Sequence, residues 1–463
     1  MFRRPPTPVA TLSSVLLAAA PAAGQIAFEP PVSIPLPTPH VPSSLHLADL
    51  DGDQRLDLVV TGRSTDGLLY ILRGAEDGSF LPPEAIELGF PTDAAASGDF
   101  NGDGHVDLVL VARTQIGRLI ELPGLAGGGF GTPELVTIER EPRSLCLADF
   151  DGDGAVELAA TNYGSNSITT AEIGPEGIQP FDHLTIGREA VAMCFPQETH
   201  AGDLDGDGVP ELVVPAIGNG RLQIMRFAAG SLAVPNPTGI RTPAVGDQHA
   251  ALTTAGLFDL DGDGDLDAIT PAILLGQSQV IVIYRNDGSG NLLDRSLVET
   301  SFIGFAWCAT AADFDGDGRV DLVAGMALPG MIVVRRNEST ELPGGDLVYG
   351  FPMPIFEGSF IRDLAIGDLD GDGDPDLVAV DISSHTVHVF RNRSGEGGLA
   401  GLEDPVTAGG KRSLSASPAA DRDAGRGPLV DRNLDGLLDA RDVAIELADW
   451  MPPAAPAAKE GSR

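Results

Sequence analysis

Lysine is almost missing from this chain. Lys411 and Lys459 are the only two in 463 residues, and 29 Lys and Arg stand against 67 Asp and Glu, for a formal net charge of −38. A chain this acidic repels phosphate backbones and anionic bilayers, which excludes nucleic acid as a partner. Cysteine is scarce as well: Cys146, Cys194 and Cys308, an odd number, read as buried thiols and not as a disulfide framework. Aromatic residues make up 5% of the chain, with Trp307 and Trp450 the only tryptophans. Glycan sites rely on stacked aromatics, so a lectin is disfavoured. H-E-x-x-H, G-x-S-x-G and the phosphate-cradling P-loop are all absent, which leaves no motif for metal-assisted, acyl-transfer or nucleotide chemistry. Beyond residue 24 no apolar run is long enough to span a bilayer.

What the chain has in abundance is one acidic loop. It starts at Asp49, Asp99, Asp149, Asp203, Asp259, Asp313 and Asp368, at spacings of 50, 50, 54, 56, 54 and 55 residues. Oxygen-bearing side chains fall at positions 1, 3, 5 and 9. The sets are Asp49, Asp51, Asp53 and Asp57; Asp99, Asn101, Asp103 and Asp107; Asp149, Asp151, Asp153 and Glu157; Asp203, Asp205, Asp207 and Glu211. They continue as Asp259, Asp261, Asp263 and Asp267; Asp313, Asp315, Asp317 and Asp321; Asp368, Asp370, Asp372 and Asp376. Of these 28 positions only Asn101 is not acidic. Four carboxylates in one turn repel each other unless a cation sits among them. Ca²⁺ takes six to eight hard oxygens, so the spacing points to calcium. Position 7 varies (Arg55, His105, Ala155, Val209, Asp265, Arg319, Asp374), as expected where only a backbone carbonyl is offered. Position 4 is Gly throughout, from Gly52 to Gly371, which suits a sharp turn. Position 2 is always Leu or Phe, an inward anchor.

Each loop is followed by a short apolar run such as Asp57-Leu-Val-Val or Asp321-Leu-Val-Ala, and position 12 carries no carboxylate. Such runs read as buried strands, so each loop joins two strands and is not an EF-hand. A further strand is predicted at Val280–Tyr284, Met331–Arg335 and Thr386–Phe390 in the later copies, and a weaker fourth strand leads to the next copy. A near-fixed period of this length indicates a propeller or an array.

The D-x-[DN]-G-D-x-x-x-[DE] core resembles the FG-GAP and VCBS repeats of bacterial secreted proteins and is similar to the calcium loops of the integrin alpha-chain propeller. The resemblance spans roughly residues 27 to 400. It implies an all-β, seven-bladed β-propeller with its ions on one face, and it does not imply an integrin's ligand.

The remaining segments bracket that ring. Residues 1–24, with Arg3, Arg4, an apolar stretch from Val9 to Ala20 and Ala22-Ala23-Gly24, read as a secretory signal. Residues 25–400 are the propeller. Pro31 to Leu36 is expected to form an outer strand closing the ring against the last blade, with Gly397 to Gly409 the competing stretch. Residues 401–428 are a Gly/Ala/Ser/Pro linker. Within 429–453, Asp431, Asn433, Asp435, Leu437 (through its carbonyl), Asp439 and Asp442 have EF-hand spacing with Gly436 at position 6, and Val443 to Trp450 has helical spacing. This segment resembles one half of a type I dockerin, a family that carries two such halves; residues 454–463 are a tail. If all eight loops each hold one Ca²⁺, the charge rises by 16, to −22.

Composition and loops lead to an exported Ca²⁺-binding module, secreted, periplasmic or at the cell surface, that holds a protein or extracellular component and is not an enzyme. The alternatives are a polysaccharide lyase or hydrolase on the same scaffold and a lectin. An enzyme needs residues outside the loops to converge at the channel mouth, with Arg188, His249 and Asp363 as first candidates. His46, His200 and Cys146 each stand three residues before a loop and read as inner-strand packing, with a channel metal cluster as the alternative. Asn337-Glu-Ser339 and Asn392-Arg-Ser394 match glycosylation sequons but read as turn residues.

Overall fold

Apolar runs such as Leu58-Val59-Val60 have no polar face, and the reason is that they are buried on both sides. Leu58 and Val60 join a cluster with Val378, Val380 and Val387, whereas Val59 joins Leu108, Leu110 and Ile120. Alternate residues of one strand therefore pack against two different neighbouring sheets, as the period of two requires. The computed structural model describes residues 25–37, 40–63, 67–185, 198–216, 221–227, 238–241, 251–273, 280–299, 305–327, 330–340, 342–343 and 345–394. Its secondary structure is all strand, arranged as a seven-bladed β-propeller.

Blades 1 to 4 and 6 are antiparallel sheets of four strands in chain order. In blade 1 these are Pro42–Ala48, Asp57–Gly62, Leu68–Leu72 and Glu84–Glu87. The innermost strand is half-buried along the channel, the next is wholly buried, and the outermost is mostly exposed. Blade 5 departs from the pattern, its inner strand being split into Ala251–Leu252 and Gly256–Phe258. Seven apolar clusters fill the seven junctions between adjacent blades.

Closure comes from the N-terminal side. Val32–Pro35 pairs antiparallel with Thr386–Phe390, in register Val32↔Val389 to Pro35↔Thr386, and so supplies the outer strand of blade 7. Inner strands Pro42–Ala48 and Ile361–Gly367 pack against each other across the seam. Joining first and last blades completes blade 7 and fastens the ring, and the outer strand of each blade remains as a sheet edge. The competing stretch 397–409 lies outside the described residues, as do the signal-like segment, the linker and the Asp431 loop. No helix of the described residues is long and apolar enough to cross a membrane.

Candidate functional site

All seven loops connect a first strand to a second strand, so they share one face of the ring. Three hydrogen bonds recur in every copy. The position 6 amide donates to the position 1 carboxylate, as from Gly318 to Asp313 at 2.7 Å and Gly104 to Asp99 at 3.0 Å. The position 7 amide donates to the position 5 carboxylate, as from Ala155 to Asp153 at 2.8 Å. The position 2 amide donates to the position 9 carboxylate, as from Phe150 to Glu157 and Leu204 to Glu211, both at 2.8 Å. The backbone thus wraps the acids and turns their remaining lone pairs toward one another.

Positive φ at position 4 is met in all seven loops, from 67° at Gly316 to 80° at Gly52. Position 6 also demands positive φ, a requirement the sequence reading missed although Gly fills it six times; Gln54 is the exception, at 69°. The position 2 anchor is buried in six loops, while Phe100 is half-buried.

Position 9 is the deepest of the acids, with Asp57, Asp107, Glu157, Glu211, Asp267, Asp321 and Asp376 all buried. Where it is Asp, its second oxygen accepts from the backbone just beyond the third strand: Gly74, Gly124, Asn286, Asn337 and Asn392, at 2.6–2.8 Å. Glu211 instead accepts from Arg226 Nε at 2.9 Å. Burial pushes Glu157, Asp267 and Asp321 up to about 7 and Asp376 up to about 6, with backbone donors opposing and neighbouring loop acids adding to the shift.

Positions 1 and 3 test whether a cation fits. Asp205, Asp261, Asp315 and Asp370, all at position 3, and Asp259 at position 1 each hold a buried Oδ1 that accepts no hydrogen bond. A buried carboxylate oxygen without a donor is costly, and a metal is the partner that removes the cost. Ligand-capable oxygens within 4.8 Å of one another occur in Asp49/Asp51/Asp53, Asp149/Asp151/Asp153/Glu157, Asp203/Asp205/Glu211, Asp259/Asp261/Asp263 and Asp313/Asp315/Asp321. The residues present fit a hard divalent cation.

Arginines also reach the loops, which the sequence reading missed. Arg73 lies 2.6 Å from Asp57 and 3.9 Å from Asp51; Arg226 lies 3.2 Å from Asp205; Arg285 lies 3.5 Å from Asp261. Arg336 pairs with Asp315 and Asp317, and Arg393 lies 3.2 Å from both Asp370 and Asp372. Position 7 is more than a carbonyl in two loops, since Arg55 pairs with Asp53 and Arg319 with Asp317 through their side chains. Arg226 also donates to the Gly290 carbonyl and Arg285 to that of Gly345, in the turns of the following blades. Those turns lean over the preceding loop, and a Cβ on Gly78 or Gly128 would strike Asp370 or Asp51.

Of the enzyme candidates, Arg188 and His249 lie outside the described residues. Asp363 is buried in a channel cavity of about 320 Å³ with Glu198, His200 and Cys308. Burial first, and Glu198 second, push its carboxyl up to about 7. His200 Nε2 stands 3.7 Å from Glu198, while His46 Nε2 bonds Ser97 at 2.8 Å, so the two histidines take separate partners. Burial lowers His46 to about 4 and pushes the Cys146 thiol up to about 12; Cys146 and Cys308 are both unbridged, and Cys194 lies outside the described residues. The sequon residues Asn337 and Asn392 are fully buried, consistent with a structural role.

The opposite face carries a second constellation. Arg63 Nε lies 2.6 Å from Asp93 Oδ1, while Arg113 Nε and Arg143 Nε lie 3.8 and 3.9 Å from Asp93 Oδ2. Arg143 stacks its guanidinium 4.3 Å above the Tyr163 ring, and Arg362 stacks 5.3 Å above that of Trp307. A repeat-register alignment finds these residues: Arg63, Arg113 and Tyr163 are position 15 of consecutive copies, and Ser43, Asp93 and Arg143 stand six residues before consecutive loops.

The FG-GAP-like repeat family model matches residues 49–110, 99–160 and 259–324, which cover loops 1 to 3, 5 and 6. The structure is therefore a seven-bladed β-propeller, and these three stretches of it are similar to FG-GAP-like repeats. No curated protein matches the chain in sequence.

Proposed function

We propose that the chain is an exported, Ca²⁺-stabilised propeller that acts without catalysis, holding a protein or extracellular surface component on the face opposite its acidic loops. The observation that supports calcium is the set of buried, donor-free oxygens at position 3 of loops 4 to 7. Positions 1, 3, 5 and 9, with the position 7 carbonyl, would hold the ion, and calcium would supply charge neutralisation and a cross-link within each hairpin. The loop face is overhung by turns from neighbouring blades, whereas the other face presents the arginine and aromatic side chains around Asp93. Export rests on residues 1–24 and suits loops filled from a calcium-rich exterior. The Asp431 loop would hold an eighth ion and serve as an anchor.

The test is affinity capture from cell envelope and culture medium, with the full chain and a version ending at Leu402, each in calcium and in chelator. A partner retained by both in calcium alone supports the reading; one lost on truncation moves recognition to the Asp431 segment. A second reading, a polysaccharide-cleaving enzyme, is favoured by the cavity that gathers Asp363, Glu198 and His200. Depolymerisation abolished by Asp363→Asn in a folded protein would establish it.

A further inference from the structure

Three guanidiniums surround the one carboxylate of Asp93, and a fourth, Arg362, is close enough for its charge to act on Asp93 as well. Burial acts against the ionised form of Asp93, yet these arginines, Arg63 foremost, hold its carboxyl well below the usual range. The cations themselves pay for crowding: burial lowers Arg143 to about 10, with Asp93 opposing and Arg113 adding to the shift. Two further carboxylates, Asp363 and Glu198, stand one residue farther along the inner strands toward the loop face, and Arg362 acts on Asp363 too. Even with both included, the cations outnumber the anions.

The geometry leaves donors unused. Arg143 is 8% exposed, and its Nε makes no hydrogen bond; the same holds for Arg362 Nε and for the acceptor Asp93 Oδ2. Both arginines stack a face on an aromatic ring. Stacking fixes the plane of a guanidinium while its N–H edge stays available, which is the preorganised fork that clamps an oxyanion. Arg113, with a side chain 25% exposed, stands at the solvent side of the group, and Arg143, at 6%, lies deeper.

We infer that the channel mouth on the face opposite the loops is a binding site for one oxyanion group of a ligand, a carboxylate or a sulfate, held by Arg113, Arg143 and Arg362, with Asp93 and Arg63 forming the fixed pair that orients them. This deepens the binding-module reading by giving that face a ligand chemistry.

The experiment is calorimetric titration of the calcium-loaded full chain with sodium glucuronate, sodium sulfate and, as the uncharged control, glucose, at ionic strength fixed with chloride. Saturable binding of glucuronate or sulfate, without binding of glucose, is expected, and the tighter of the two identifies the group. Arg113→Gln, at the most exposed of the arginines paired with Asp93, should weaken binding about tenfold or more, since it removes one charge-assisted contact. Arg113→Lys should restore part of the loss, keeping the charge without the fork. No saturable heat with either anion, or equal affinity in Arg113→Gln, would overturn the inference. Competition separates this site from the wider reading. A captured partner that free glucuronate and sulfate fail to displace leaves the module standing and removes the site. Anion binding without any captured partner does the reverse.

Discussion

The side-chain amide of Asn392 donates to the backbone carbonyl of Phe314, 2.8 Å away and one blade back around the ring. Its own backbone amide donates to Asp376, position 9 of its own loop, at 2.7 Å. One buried residue thus ties two successive loops together. Asn286 does the same between Leu204 and Asp267, and Asn337 between Leu260 and Asp321. Blades 1 and 2 have Gly74 and Gly124 at this place, where a Cβ would lie 2.5 Å from the Leu56 carbonyl and 2.3 Å from that of Val106.

Asn392→Ala should therefore destabilise the protein. It leaves the buried Phe314 carbonyl without that donor, at a cost of about 1–3 kcal/mol. Denaturant unfolding in saturating calcium, compared with an exposed control such as Glu84→Ala, measures it. Loss no greater than the control's would mean that the clasp contributes nothing.

Gln54 is the one residue other than Gly at position 6, held at φ 69°, while its six counterparts lie between 82° and 96°. A side chain in this region costs roughly 1–2 kcal/mol, partly offset because Gly loses more freedom on folding. Gln54→Gly should stabilise the calcium-loaded protein by up to about 1 kcal/mol, and Gly104→Gln should do the opposite in loop 2. Melting temperatures moving together in one direction would refute the account.

The fold was legible because a period repeated: loops every 50–56 residues fix the blades, and two-sided apolar runs fix the buried second strands. The loop acids were legible for the same reason. The clasps and the Asp93 constellation were not, because they bring together residues of neighbouring blades that meet only when the ring is closed. The loop arginines Arg73, Arg226, Arg285, Arg336 and Arg393 were not, because each stands at or just past the end of the third strand of its blade and reaches acids on that blade's own loop, two strands earlier in the chain. Asn337 looked like a sequon, yet its amide is spent on Leu260 and Val320 carbonyls. Arg63 and Arg113 drew no reading from the sequence, and Asp93 of the blade 2 inner strand comes between them only in the folded ring. Asp363 was expected in a segment between blades; it lies instead on the blade 7 inner strand Ile361–Gly367, where burial beside Glu198 is what the structure adds.

The position 9 acids give the calcium-free protein a pH dependence. Burial raises Glu157, Asp267 and Asp321 to about 7 and Asp376 to about 6, so the native state holds these protons more tightly than the unfolded chain does. Their stabilisation is full below the ordinary carboxylate range, around pH 4, and is lost as pH rises through 6 to 7. Calcium-stripped protein should unfold at lower denaturant at pH 8 than at pH 5. Calcium should reverse the trend, since the ion replaces those protons and its affinity rises with pH. Stability of the stripped protein that climbs from pH 5 to 8 would contradict this assignment.

Arginines make the loops unequal. Among the described residues, loops 2 and 3 have no arginine paired to their acids, whereas Arg319 and Arg336 both pair in loop 6. A cation entering loop 6 must displace Arg336 from Asp315 and Asp317, although Asp315 Oδ1 is already donor-free and waiting. Arg336 is 27% exposed beside a buried Asp315, and a partly screened ion pair of this kind is worth about 1 kcal/mol, or roughly fivefold in affinity. Loops 2 and 3 should therefore fill first in a calcium titration, and Arg336→Gln should tighten the weakest class of sites about fivefold without changing the number of ions bound. If the variant binds more weakly instead, Arg336 does not compete with the ion but holds the two carboxylates in place for it, and the seven loops would then fill in the reverse order.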